Sequence, residues 1–222
     1  MLVQAGQSGD GCDFAARTAE AIFCPAATIE AGIAFRSDLR RRIAEVGRDP
    51  DGVRIMPGLS FILADSEAEA IAKDEALLAL ADEALCIEYL SESMCFDLTS
   101  YDPDGPIPEA DILAGTLLPK EDIGRVLAGP VSEGLSLGAF AGRYVRTPRG
   151  HNVFRGTPEQ LATTMIEWID AGACDGFTLQ PAYMPGELAL FVDRVVPILQ
   201  EWGRLRTAYP GTTLRASLGL PE

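Results

Sequence analysis

Basic residues are scarce in this chain: 18 Lys and Arg stand against 33 Asp and Glu, a formal charge of -15 over 222 residues. Nucleic acid and anionic membrane surfaces would repel such a chain rather than steer it in, so neither is an expected partner. Histidine is scarcer still, with His151 alone. The five cysteines, Cys12, Cys24, Cys86, Cys95 and Cys174, are scattered without a CxxC pair. That excludes a disulfide framework and a zinc site from the expectations and leaves reduced, mostly buried thiols. No apolar run approaches the ~20 residues of a membrane span. No charged-then-apolar leader opens the chain either, and the expectation is a cytoplasmic protein.

What the chain has is core: 47% of its residues are hydrophobic, enough for one large domain. Met1-Leu2-Val3-Gln4-Ala5 reads as a strand that runs into the glycine-rich turn Gly6-Gln7-Ser8-Gly9 and then a helix. Unpaired amides and the positive end of the helix dipole converge at such a turn, which makes it an anion site by geometry. A plain strand-to-helix connection satisfies the same local spacing.

Helical spacing continues over residues 10–23, and the short apolar segment Ala26-Ala27-Thr28-Ile29 reads as a second strand. Residues 30–46 suit a helix stopped by Gly47. Residues 53–63 read as a strand interrupted by Pro57-Gly58. Ser66 and Glu69 fit a capping box opening a helix that runs towards Leu85. The rhythm fails over residues 91–150, a long excursion with short helices, the largest near residues 121–128, of the kind that forms lids and mouths. It returns at Thr157-Pro158-Glu159-Gln160, a capping box with proline at the first helical position. A strand at residues 175–180 and a last helix from Glu187, kinked at Pro197, complete the order. Such alternation implies parallel strands joined by right-handed crossovers, in either an open doubly wound sheet or part of an eight-stranded barrel.

Several blocks together resemble the flavin-dependent monooxygenases of the nitrilotriacetate monooxygenase type, in the bacterial luciferase-like superfamily. They are the tract from Gln4 to Glu20, Gly47-Arg48-Asp49-Pro50, Met56-Pro57-Gly58, Phe96-Asp97-Leu98-Thr99 with Asp104-Gly105-Pro106, the Gly156 to Gln160 tract, Asp175-Gly176-Phe177, and Gly211-Thr212-Thr213-Leu214-Arg215 with Leu218-Gly219-Leu220. The resemblance implies a TIM-like (β/α)8 barrel that uses reduced FMN, delivered by a separate flavin reductase, and O2 to oxidise a small organic substrate. It also implies that this chain is the C-terminal part of such a barrel: about four parallel strands, one partial domain over residues 1–222, and an insertion or lid at about 91–150. The expected partners are then the reductase, a small substrate with O2, and a second copy of the chain or a complementing N-terminal half.

The resemblance assigns the FMN phosphate to Gln4, Gly6, Gln7, Ser8 and Gly9, although Gln7 stands where a smaller residue is expected. His151 is the candidate for proton transfer, against a structural hydrogen-bonding role. Asp97, Asp102 and Asp104 point to turn chemistry rather than a metal, and Trp168 and Trp202 to packing. The alternatives to the monooxygenase are an inactive truncated remnant that binds phosphate or a partner, and a small α/β protein unrelated to flavin.

Overall fold

The computed structural model describes residues 1–146 and 151–220. Arg149 and Gly150, in the tract that carries His151, lie outside the described residues. The chain divides into two compact units, one of Met1–Lys73 with Arg149–Glu222 and the other Asp74–Pro148.

The first unit is a parallel sheet dressed with helices. Strand β1, Val3–Ala5, leads into helix α1, Gly9–Thr18; β2, Ala21–Cys24, is followed by α2, Ile29–Glu45; and β3, Arg54–Leu63, is the long central strand. β1 pairs with β2 and β2 with the first residues of β3, so that Ala5, Phe23 and Met56 lie in register. The expected strand at Ala26-Ala27-Thr28-Ile29 is displaced. Ala21, Ile22 and Cys24 form the buried strand instead, and Thr28 caps α2 by accepting the Ala31 amide at 3.2 Å. A short apolar run after a helix continues the helical pattern in sequence, so periodicity alone cannot find this break.

β3 runs unbroken through Pro57-Gly58. Pairing with β2 ends at Cys24↔Pro57, and pairing with the next neighbours starts at Gly58 and Leu59. Proline, which cannot donate to a ladder, thus sits where one ladder gives way to another. The odd positions Leu59, Phe61 and Leu63 pack under helices against Leu161, Ala162, Phe191, Val195 and Leu199. Phe61 is fully buried, a placement that contributes about 2–3 kcal/mol.

In the second unit α3, Glu67–Leu78, crosses from the first, and α4 (Glu83–Met94), α5 (Glu109–Gly115), α6 (Lys120–Ser132) and α7 (Leu137–Arg146) follow. It has a core of its own, in which Leu90, Met94, Leu98, Ile112, Leu127 and Phe140 are buried together. Residues 91–146 of the expected insertion lie in this unit.

The chain returns to the first unit with β4, Asn152–Gly156, then α8, Pro158–Asp170, and β5, Thr178–Pro181. The Thr157 box forms as the sequence indicates: Thr157 accepts the Gln160 amide, and the Gln160 side chain accepts the Thr157 amide at 2.9 Å. After α9 (Gly186–Leu190) a π-helical turn, Phe191–Val195, leads into α10 (Val196–Glu201), where Pro197 occupies the first turn. The bend expected at Pro197 is thus taken up by the π turn just before it. A final helix α11, Leu214–Ser217, follows.

This is a TIM-barrel-like α/β arrangement of parallel strands. The expected C-terminal part of a barrel with about four strands is corrected on both counts. Among the described residues the strands number five, because the Asn152–Gly156 tract pairs in register along β3, and the elements extend from Val3–Ala5 to Leu214–Ser217 rather than forming a terminal portion alone. Among the described residues no helix is long and apolar enough to cross a membrane.

Candidate functional site

After β1 the backbone enters a conformation that glycine adopts readily, with Gly6 at φ 140°. A Cβ at Gly6 or Gly9 would meet nothing within 4 Å, so both positions face open space. Ser8 caps α1: its Oγ accepts the Gly11 amide at 3.1 Å, and its carbonyl accepts the Cys12 amide at 2.8 Å. Helix geometry leaves the Gly9 and Asp10 amides without an intrahelical acceptor. With Oγ serving as acceptor, the Ser8 hydroxyl proton is still a donor. The turn therefore offers backbone amides, one hydroxyl and the dipole's positive end, a donor set that fits a phosphate; the exposed Asp10 carboxylate acts in the opposite sense.

The structure brings Gly6, Ser8 and Gly9 together but uses the two glutamines as braces. Gln4 Nε2 donates to the Gly11 carbonyl at 3.0 Å, tying β1 to α1, while Gln4 Oε1 is buried with no hydrogen-bond partner among the described residues. Gln7 Nε2 donates to the Pro25 carbonyl, tying the turn to the end of β2.

A second group of side chains, of which the sequence singled out His151 alone, lies on the face of the sheet opposite the helices. Partners across a ladder share a face, so this face collects Ala5, Phe23 and Met56, then Gly58 and Ser60 of β3, Val153 and Arg155 of β4, and Thr178 and Gln180 of β5. Phe23, Met56 and Ser60 are half-buried rather than sealed. His151 belongs here: its ring stacks on Phe23 with centroids 5.0 Å apart and planes at 25°. Ser60 Oγ donates to Gln180 Oε1 at 3.2 Å. The signal available in sequence was the period-two alternation of residues 54–63, which marks out a second face without saying what borders it.

A cavity of about 720 Å³ in the same unit, lined by Arg54, Met56, Met165, Phe177, Phe191 and Leu205 among others, sits towards the N-terminal end of β3. In barrel-type sheets that end serves stability, and chemistry is done at the C-terminal ends. We therefore place the candidate site at the turn and the open face.

The remaining residues singled out in the sequence make local contacts. Asp97 Oδ1 accepts both the Thr99 hydroxyl at 2.6 Å and the Thr99 amide at 2.9 Å, which hold its carboxyl below the usual carboxylate range. Asp102 accepts the Asp104 amide at 3.1 Å. No group of three ligating side chains is gathered among the described residues. Trp168 is buried beside Ala26, Ala173 and Cys174, whereas Trp202 is largely exposed.

Fold and site together describe a TIM-barrel-like α/β protein whose opening turn follows the C-terminal end of β1 and whose open face lies along the middle of β3. The luciferase-like monooxygenase family matches residues 2–111. The chain is 41% identical over 223 residues to N-acetyl-S-(2-succino)cysteine monooxygenase of Bacillus subtilis (strain 168), an alignment covering 100% of this chain and 50% of that protein. It is 38% identical over 221 residues to nitrilotriacetate monooxygenase component A of Aminobacter aminovorans, covering 99% and 48%. The crystal structure of riboflavin lyase with modified FMN and riboflavin superposes with a TM-score of 0.76 at 27% identity, covering 98% of this chain and 47% of that one. The chain is thus similar, along nearly its whole length, to luciferase-like monooxygenases.

They also correct the expectation that the chain is matched as a C-terminal half awaiting a complementing N-terminal half: the likeness extends through 98–100% of the chain, and the family match opens at residue 2. The chain spans about half the length of the curated relatives it matches.

Proposed function

We propose that this protein acts as an FMN-dependent monooxygenase of the two-component kind, receiving reduced FMN from a separate flavin reductase and oxidising a small organic substrate with O2. The observation that carries this reading is the 41% identity along the whole chain to a monooxygenase, combined with a strand–turn–helix whose donors suit a phosphate. Nitrilotriacetate monooxygenase component A and the FMN-containing riboflavin lyase support the same cofactor.

Bound reduced flavin would supply the oxygen-activating chemistry, which protein side chains do not provide. The chain's own part is to hold and orient. Gly6 gives the backbone its turn, the Gly9 and Asp10 amides and the Ser8 hydroxyl would grip the phosphate, and Gln4 and Gln7 fix the turn to α1 and β2. The open sheet face, with Phe23, Met56, Ser60, Gln180 and His151, provides an apolar floor with polar groups set into it.

The test is a coupled assay with an NADH-dependent flavin reductase, FMN and 18O2, offering N-acetyl-S-(2-succino)cysteine and nitrilotriacetate. Product carrying one 18O atom is expected from at least one of them. Oxygen consumption with no labelled product would contradict the activity.

A further inference from the structure

Parallel strands give the first unit two distinct ends. The opening turn follows the C-terminal end of β1, whereas the cavity of about 720 Å³ begins at Arg54 and Met56, the first residues of β3. Small-molecule sites run to roughly 300–1,000 Å³ and are walled mostly by apolar side chains with a few polar groups, and this cavity has both the size and the walls. Met165 and Ile166 of α8, with Phe177 and Leu179, pack on the core yet are only half-buried. Ile169 on the same wall is 41% exposed. A ligand lying against them would take that apolar surface out of water.

A chain reversal makes the far wall. Gly203, at φ 68°, ends α10: the Arg204 amide returns to the Leu199 carbonyl at 2.8 Å and the Gly203 amide to the Gln200 carbonyl at 3.0 Å, the Schellman pattern. The reversal packs Leu205 onto the core between Arg204 and Arg206, all three lining the cavity.

Two guanidinium groups then meet at one lip. Arg54 donates to the Leu218 carbonyl at 2.8 Å and to the Gly219 carbonyl at 2.5 Å, and Arg206 donates to the Ser217 carbonyl at 3.0 Å, so three consecutive carbonyls draw both side chains to one edge. A carbonyl accepts a hydrogen bond without cancelling the donor's charge. Arg204 is ion-paired with Asp170. The acid in the lining, Asp175, is engaged elsewhere: it accepts from Arg36 and from the Ile55 amide, both at 2.9 Å. In a chain of formal charge -15, this lip is locally cationic.

We propose that the cavity binds one soluble amphipathic anion: an apolar chain or fused ring laid against α8 and β5, ending in a carboxylate, sulfonate or sulfate held at Arg54 and Arg206. The ligand is distinct from flavin and from the substrate of the proposed oxidation, because its site opens at the other end of the strands from the opening turn.

The test is titration of the purified chain with 8-anilinonaphthalene-1-sulfonate, a dye that brightens on leaving water. One saturable site is expected, and N-phenyl-1-naphthylamine, the same rings without the sulfonate, should bind at least about fivefold more weakly. Decanoate should displace the dye better than decan-1-ol, and FMN should not displace it. Arg206→Gln, a change at an exposed side chain, should weaken the dye by about threefold to fivefold and leave the uncharged probe unchanged. Ile169→Glu, also at an exposed position, should abolish dye binding while circular dichroism and the thermal midpoint stay those of the parent. Bound decanoate should slow limited proteolysis within residues 206–217. The proposal is overturned if the two probes bind equally, if Arg206→Gln binds the dye like the parent, if Ile169→Glu keeps the site, or if FMN displaces the dye, which would put the dye in the flavin site. Dye and flavin are read separately, so failure here leaves the proposed oxidation standing and failure of that activity leaves this site standing.

Discussion

The Glu187 carboxylate is fully buried and is paired with the Lys73 ammonium, and its second oxygen accepts the Leu63 amide at 2.9 Å. Lys73 in turn donates to the Leu63 carbonyl at 3.1 Å and stands 5.1 Å from the centre of the Tyr183 ring. The pair thus satisfies both backbone groups of the last residue of β3 and fixes the C-terminal end of the strand on whose middle the candidate site lies.

Removing one member of such a pair leaves a buried charge without its counterion. Lys73→Met should therefore lower the unfolding free energy by about 3–5 kcal/mol in urea titrations. Adding Glu187→Gln to Lys73→Met should recover part of that loss, since the second change removes the stranded charge. A loss under about 1 kcal/mol in Lys73→Met would show that the pair is solvated.

The cysteines divide by burial. Cys24 and Cys174 are pushed up to about 12, mainly because burial disfavours the thiolate. Cys12 and Cys86 are also buried and raised by burial, and Cys95 is the exposed one. At pH 8 a thiol reagent should titrate Cys95 alone in the folded chain and all five after denaturation. The unfolded thiols lose protons near 9.0 while Cys24 and Cys174 hold theirs. Stability is therefore complete below about pH 9 and falls as pH rises towards 12. Rapid titration of several thiols in the folded chain would contradict this packing.

Acid should loosen the C-terminal segment. A hydrogen bond from Arg215, followed by one from the Leu2 amide, holds the Glu20 carboxyl below the usual carboxylate range. With the folded value depressed, the contribution is present above the unfolded value of 4.5 and is lost as pH falls through the folded one. Limited proteolysis around residues 206–217 should accelerate below about pH 4, and Glu20→Gln should show the faster cleavage already at pH 7. Cleavage independent of both would remove Glu20 from that role.

How much of this was legible in sequence depended on range. Caps are local chemistry, so Thr157 with Gln160 and the turn at Gly6 to Gly9 could be read directly. The break before Ala21 could not, because a four-residue buried strand and the last turn of an amphipathic helix carry the same apolar residues. Pro57 looked like an interruption because only the tertiary fold reveals that β2 stops pairing there. The open face was invisible for a similar reason: Phe23, Gly58, His151 and Gln180 are brought together by segments that are distant in sequence. The resemblance assigned Gln4 and Gln7 to the phosphate, and in the structure their side-chain amides donate to the Gly11 and Pro25 carbonyls.

Ser8 joins the two roles of the opening turn. Ser8→Ala removes the cap on α1 and should cost about 1 kcal/mol of stability, and it also deletes the hydroxyl offered to the phosphate. Gly6→Ala should be destabilising at φ 140° although its side chain would meet no clash. Thermal denaturation of both variants checks these effects, and a Ser8→Ala protein as stable as the parent would mean that the cap seen here contributes little.

The most direct test of the central claim is calorimetric titration of the purified chain with FMN and, separately, with riboflavin, which has the same ring system and no phosphate. The account predicts saturable binding of FMN, at least about tenfold tighter than riboflavin, with that preference largely lost in Ser8→Ala. Equal affinity for the two flavins, or no binding of FMN at all, would contradict it.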